Sequence, residues 1–266
     1  MKKLSMLAAA GLAILLTACG NKNTQSAEAD DLAITFEQEQ IEVDIKTNLD
    51  SLAIVVSKLK QLPFMKDEKG NIVLTDDEKK VKPDFLLSPA IVDKATTLSE
   101  KYRALVALQV DKRVAELYEM PVDDYDKAIT KLLAELNDPS FKAIENTATF
   151  YETTEALYNA MNENGRINFF WQMAAASAVE QLYIISKKKD KFLGSLDDDT
   201  ASNITFRVVL LQDGITRLAE FDPELSPVAE ALAPLDVLNA TNVEELKQQI
   251  GGIADEIAAS RKALLQ

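Results

Sequence analysis

Histidine is absent from all 266 residues. Without imidazole the chain cannot assemble a Ser-His-Asp or Cys-His nucleophile, a His-containing zinc site or a His-based acid–base pair. Cysteine is nearly absent as well. Cys19 stands alone, which excludes a disulfide within the chain and a thiolate zinc cluster. Glycine and proline occur eight times each, and the glycines nowhere space as a phosphate-cradling loop requires. Aromatic residues are 6% of the chain with one tryptophan, Trp171, which argues against a sugar-stacking surface. Positive charge is short: 29 Lys and Arg face 43 Asp and Glu, for a net charge of −14. A chain this acidic is a poor binder of nucleic acid or anionic lipid through charge. These absences predict no cofactor, no metal site and no nucleic-acid partner.

Long apolar runs are missing too, apart from one stretch near the N-terminus. Lys2 and Lys3 precede an apolar segment from Leu4 to Leu16, too short for a permanent membrane helix. Positive residues, a short apolar core and small residues at a cleavage point make a secretory signal. Its ending, Leu16-Thr17-Ala18-Cys19, resembles the lipobox of bacterial lipoproteins. The resemblance implies that residues 1–18 are a removed signal peptide. Lipidation then falls on Cys19, which becomes the first mature residue, carrying a thioether-linked diacylglycerol and an acylated amine. Loss of Lys2 and Lys3 makes the body two charges more negative. Acyl burial contributes about 0.8 kcal/mol per CH₂, and two chains suffice for stable attachment. The membrane is therefore one expected partner. Gly20 stands where many Gram-negative lipoproteins carry the Asp that signals inner-membrane retention, so the resemblance favours the outer membrane, on either face. Residues 19–31 are polar enough to predict a lipidated, disordered tether.

Residues 32–266 predict a single all-α helical bundle of about seven helices, with a short hairpin or loop insertion near 64–88. Apolar residues recur at helical spacing in Ile41–Leu59, Ile204–Leu218 and Val243–Ile257. Helices are expected at 34–61, 89–120, 123–137, 139–163, 166–189, 199–221 and 242–265, with a broken helical piece at 223–238. Ser88-Pro89, Asp138-Pro139, Asp222-Pro223 and Ser226-Pro227 each pair a capping side chain with a first-turn proline. Thr241 and Glu244 have capping-box spacing, and Asn164-Gly165 marks a helix end. The segment Arg166–Lys188 is apolar nearly all round and belongs at the bundle centre. Lys69-Gly70-Asn71, Pro83 and Pro89 exclude a continuous helix through 64–89. Val114–Tyr118 echoes Val179–Tyr183, but unequal spacings do not support a regular solenoid.

Several chemical motifs fail on context. Ser57-x-x-Lys60 and Ser186-x-x-Lys189 lack the companion motifs of Ser-x-x-Lys enzymes. Asp67–Glu78 has the length of a calcium loop, with Lys69 at a ligand position and its glycine misplaced. Asp197-Asp198-Asp199 suits a helix N-terminus better than a cation. A polar set remains on the core helix: Asn168, Gln172 and Glu180, at four-residue multiples, with Arg207 and Arg217 as partners from the next helix. It reads first as the one solvated edge of a mostly buried helix. Pointed inward, it needs mutual hydrogen bonds or a ligand. Gly251-Gly252 inside the last helix points to a kink or close packing. The expected function is an accessory or scaffold module that binds another envelope protein. The alternative is a carrier holding a small apolar or amphipathic ligand between helices, with Asn168, Trp171, Gln172, Glu180 and Arg207 as contacts. A carboxylate- or lysine-based enzyme ranks last.

Overall fold

A computed structural model of the chain describes residues 43–56, 58–59, 74–144, 154–194 and 196–265. The signal peptide, Cys19, the tether and residues 64–73 of the expected insertion lie outside the described residues, as does Ser57. The chain divides into two units, Met1–Asp44 and Ile45–Gln266. Of the first, the described residues are Val43 and Asp44 alone. In the second, the described residues form helices, nine of them seven residues or longer, and no strand. The expected all-α class is the observed one.

The helices are α1 (45–56 within this unit), α2 (Asp76–Lys80), α3 (Leu98–Leu117), α4 (Asp123–Leu136), α5 (Thr154–Glu163), α6 (Ile167–Lys187), α7 (Lys189–Leu193), α8 (Asp198–Ala219), α9 (Ser226–Leu232), α10 (Val243–Gly252) and α11 (Ala254–Leu265). Helix α6 is the centre, lying against α3, α11, α8 and α5. Every residue from Phe170 to Leu182 on it is buried, as its all-round apolar sequence requires. Trp171 is fully enclosed and its ring lies against Gly214 of α8. A Cβ at Gly214 would sit 2.3 Å from the ring, so glycine there lets α6 and α8 approach. None of the described helices is long and apolar enough to cross a membrane.

Caps decide where the expected boundaries move. The helix expected at 89–120 is two elements. Ser88 caps only a 3₁₀ turn, Pro89–Asp93, by accepting from the Ala90 N–H. Helix α3 starts at Leu98, where Thr97 and Glu100 form a capping box that satisfies two orphan donors at once. At 139–163 the start is a 3₁₀ turn, Pro139–Ile144, and α5 begins at Thr154, with 145–153 outside the described residues. Within the insertion, Thr75 and Glu78 form another capping box and wind Asp76–Lys80 into a helix instead of a loop. The last helix starts one residue later than expected. Asn242 is the cap and accepts from the Glu245 N–H, while Glu245 accepts from the Thr241 N–H. That helix also breaks at Ile253, right after Gly251-Gly252, giving α10 and α11. Asp197 caps α8 through the Thr200 N–H, in line with the dipole expectation, and Asp198 accepts from the Val243 N–H at the foot of α10. Gly165 ends α5 in the left-handed region at φ +67°.

Candidate functional site

Helices α3, α6 and α11 meet along a seam that carries most of the buried charge. At its middle stand Asp111 of α3, Glu180 of α6 and Arg261 of α11. Both carboxylates are fully buried and Arg261 is 9% exposed. Arg261 donates through Nε to Glu180 Oε2 at 2.7 Å and through Nη2 to Oε1 at 2.8 Å, a two-pronged ion pair. Its Nη2 is 3.7 Å from Asp111 Oδ2. The Asp111 Oδ2 accepts from the Leu87 N–H, and the Leu87 carbonyl accepts from the Tyr125 hydroxyl at 2.9 Å. The guanidinium sits 4.1 Å from the centre of the Tyr183 ring, a cation–π contact.

Burial governs the acidity of this group. The Asp111 carboxyl is pushed well above the ordinary carboxylate range, first by burial and then by the neighbouring Glu180 charge, against the pull of Arg261 and the Leu87 N–H. Glu180 is pushed up by burial and held back by its two bonds from Arg261. The Tyr125 phenol is pushed up by burial and by Asp111. The two carboxyl groups flank one guanidinium nitrogen, Arg261 Nη2, at 2.8 Å from Glu180 Oε1 and 3.7 Å from Asp111 Oδ2.

Two further polar rungs occupy the same seam. Eight residues before Asp111 and Glu180, about 12 Å down each helix, Arg103 of α3 meets Gln172 of α6. Arg103 Nη1 donates to Gln172 Oε1, Arg103 Nε donates to the Leu264 carbonyl at 2.7 Å, and Gln172 Nε2 donates to Ser99 Oγ at 3.2 Å. The matched spacing means that α3 and α6 run in the same direction. At the lower end Tyr102 stacks on Phe169 with ring centres 4.5 Å apart. Its hydroxyl donates to the buried Asp138 and accepts from Arg166 Nη1 at 2.8 Å. Asp138 also accepts from the Ser140 N–H at 2.8 Å, so this capping residue serves the core as well.

The structure separates the residues singled out from the sequence. Gln172 and Glu180 are fully buried, which corrects the expectation of a solvated edge: α3 and α11 cover that face. Asn168 lies apart, half-buried, with its Nδ2 donating to Asp222 at 3.0 Å. Arg207 is buried but does not reach Glu180. Its Nη1 donates to Gln181 Oε1, one residue and about 100° round the helix from Glu180, on the α8 side. Arg217 pairs with Asp213 on its own helix, at 3.0 Å. Trp171 packs on Gly214, and its indole N–H meets no acceptor among the described residues. Lys189 Nζ lies over Gly251, where a Cβ would come within 2.4 Å of it.

Asp111, Arg103 and Arg261 do not stand out from residue spacing, though a signal for two of them is present in the chain. Asp111 falls three residues after Leu108 and three before Val114, on the apolar stripe of α3. Arg261 falls four residues after Ile257 in the apolar stripe of the last helix. Opposite charges set into two buried stripes are a pairing signal. Among the described residues no three acidic or thiol side chains gather closely enough to hold a metal ion. No protein-family model matches the chain, and neither a curated protein nor a solved structure matches it.

Proposed function

We propose that the chain is a lipid-anchored envelope lipoprotein that works as a binding or accessory module for another envelope protein. The observation that carries the anchor is the run Leu16-Thr17-Ala18-Cys19 directly after a short apolar leader. The attachment favoured is the outer membrane, through Gly20 in the position after the cysteine. The choice of a protein partner over an enclosed ligand rests on the interior. Asn168, Gln172, Glu180 and Arg207 are each engaged by Asp222, Arg103, Arg261 and Gln181 of the same chain. A ligand between the helices would have to break those bonds in a buried setting, at a cost of about 1–3 kcal/mol for each group left unsatisfied. Recognition therefore falls to the outer surface. There α8 exposes Phe206 and Val209 one turn apart, 48% and 44% accessible.

The test is gentle detergent extraction of the tagged protein from its native envelope, followed by native mass spectrometry, beside a Cys19→Ala variant. The expected result is a protein carrying acyl mass at its N-terminus with a stoichiometric protein companion, and a variant that leaves the membrane fraction. A retained small molecule without a companion supports the carrier instead. An unacylated protein defeats the anchor.

A further inference from the structure

The central rung buries two carboxylates beside one cation. Were all three groups ionised, the rung would carry an uncompensated negative charge at the crossing of α3, α6 and α11, a costly arrangement in a low-dielectric interior. The geometry offers a way to avoid that charge. Arg261 commits Nε and Nη2 to Glu180, at 2.7 and 2.8 Å, and stays 3.7 Å from Asp111. The Asp111 Oδ2 is served by the Leu87 N–H. Its Oδ1 is buried and receives no hydrogen bond from any described donor, while the Glu180 carboxylate stands on the same Arg261 Nη2 that Asp111 faces.

We propose that Asp111 and Glu180 hold one proton between them, and that this proton latches α11 onto α3 and α6. Placed on Asp111 Oδ1, the proton turns an unserved acceptor into a donor to Glu180. The rung is then neutral: a carboxylic acid, a carboxylate and a guanidinium. Every element packed around it contributes a group consistent with this state. Helix α4 supplies the Tyr125 hydroxyl, which supports the Leu87 carbonyl. Helix α6 supplies Glu180 and the Tyr183 ring under the guanidinium. Helix α11 supplies Arg261, while the neighbouring Lys262 is exposed. The connection before α3 supplies the Leu87 N–H.

The latch has a direction in pH. Both carboxyls are raised above their ordinary values in the folded protein, so closing the latch takes up a proton. Its contribution is fully present below the ordinary carboxylate range, near 4, and is lost as pH rises through the raised folded value. Across that window the equilibrium between α11 seated and α11 lifted shifts by about tenfold per pH unit toward the lifted form. Deprotonation leaves the Arg261–Glu180 bonds made but adds a second buried charge that one guanidinium cannot balance, and lifting α11, whose Leu264 carbonyl is held by Arg103, returns both carboxylates to water.

The direct test is infrared spectroscopy of the full mature chain at neutral pH, unlabelled and labelled with ¹³C-carboxyl Asp and Glu. A protonated-acid carbonyl band that shifts with the label and disappears on titration to high pH is expected. Absence of that band at neutral pH overturns the proposal, because it means that Asp111 is ionised and solvated by other means. The Asp111→Asn variant fixes the neutral form, with an amide N–H where the proton stood. It removes the band, and amide hydrogen exchange in α11, corrected for intrinsic rates, loses its extra pH dependence. A band unchanged in both Asp111→Asn and Glu180→Gln places the proton elsewhere and overturns the assignment. The wild-type spectrum decides the question even if a variant fails to fold.

Discussion

One helix carries two carboxyl groups driven in opposite directions. At the start of α3, Glu100 accepts from the Thr96 and Thr97 N–H groups and the Thr96 hydroxyl, and these bonds bring its carboxyl down to about 2. Three turns on, Asp111 is sealed in the seam with a like charge beside it and is pushed far up. Helical context is similar at both sites, and the supply of donors is not. An open helix end offers orphan N–H groups that favour the charged form. A helix middle has spent its N–H groups on its own backbone, so a buried acid there must borrow from elsewhere or keep its proton. The two groups consequently respond to acid in opposite senses. The Glu100 contribution to stability is present above the ordinary glutamate value and is lost as pH falls through about 2. The seam is strongest in acid and weakens as pH rises.

The largest expected effect falls on the seam's cation. Arg261→Ala leaves the buried Asp111–Glu180 pair with its remaining negative charge unpaired and costs about 3–5 kcal/mol at neutral pH, read by urea unfolding. The loss shrinks as pH falls, because protonated carboxyls no longer need the guanidinium; a loss independent of pH would break the contrast with Glu100. Gly214→Ala comes next. Alanine gains about 1 kcal/mol of helix propensity, but its methyl collides with the Trp171 ring, and overpacking costs about 1–3 kcal/mol. Net destabilisation with a shifted tryptophan emission is the expected outcome. Unchanged emission would mean that the α6–α8 contact has room for a methyl group. Glu100→Ala removes one arm of the α3 capping box and costs on the order of 1 kcal/mol at neutral pH, a difference that closes as the solution approaches pH 2. Equal deficits at neutral pH and near pH 2 would show that the carboxylate is not the active arm. The smallest effect belongs to the exposed pair Lys46–Asp50, at 2.9 Å on α1. Lys46→Ala leaves the unfolding midpoint within measurement error, since exposed pairs of this spacing are screened by water and salt.

The body's class, and the position of its core helix, were legible because both rest on local periodicity. Phe170–Leu182 is apolar on nearly all sides, and a helix of that kind can only be buried. Glycine at 165 and the pair at 251–252 were legible as an end and a break for similarly local reasons. Boundaries were harder where two caps compete within ten residues. Ser88-Pro89 reads as a start, but Thr97-Leu98-Ser99-Glu100, nine residues on, has the glutamate that returns to the cap. The rungs of the seam were least legible. Glu180 stood out on its helix, yet its partner is 81 residues away. The choice between Arg207 and Arg261 depends on which face of α6 meets α8 and which meets α11. Residue spacing within α6 does not contain that information. The charge of Asp111 on one apolar stripe, and of Arg261 on another, was the clue that could have joined them.

The break at Ile253 frees α11 to run in its own direction, and with it Arg261. Order of synthesis gives this arrangement a consequence for how the bundle comes together. A chain made from its N-terminus contains Asp111 first, Glu180 next and Arg261 last, with the closing pair 81 residues apart. From residue 180 until residue 261 is made, the nascent polypeptide therefore carries two acids destined for its centre and no Arg261 to meet them. Contacts this distant in sequence form late, so the seam closes only after α11 has emerged, and a chain terminated before Arg261 lacks the ion that would let it close.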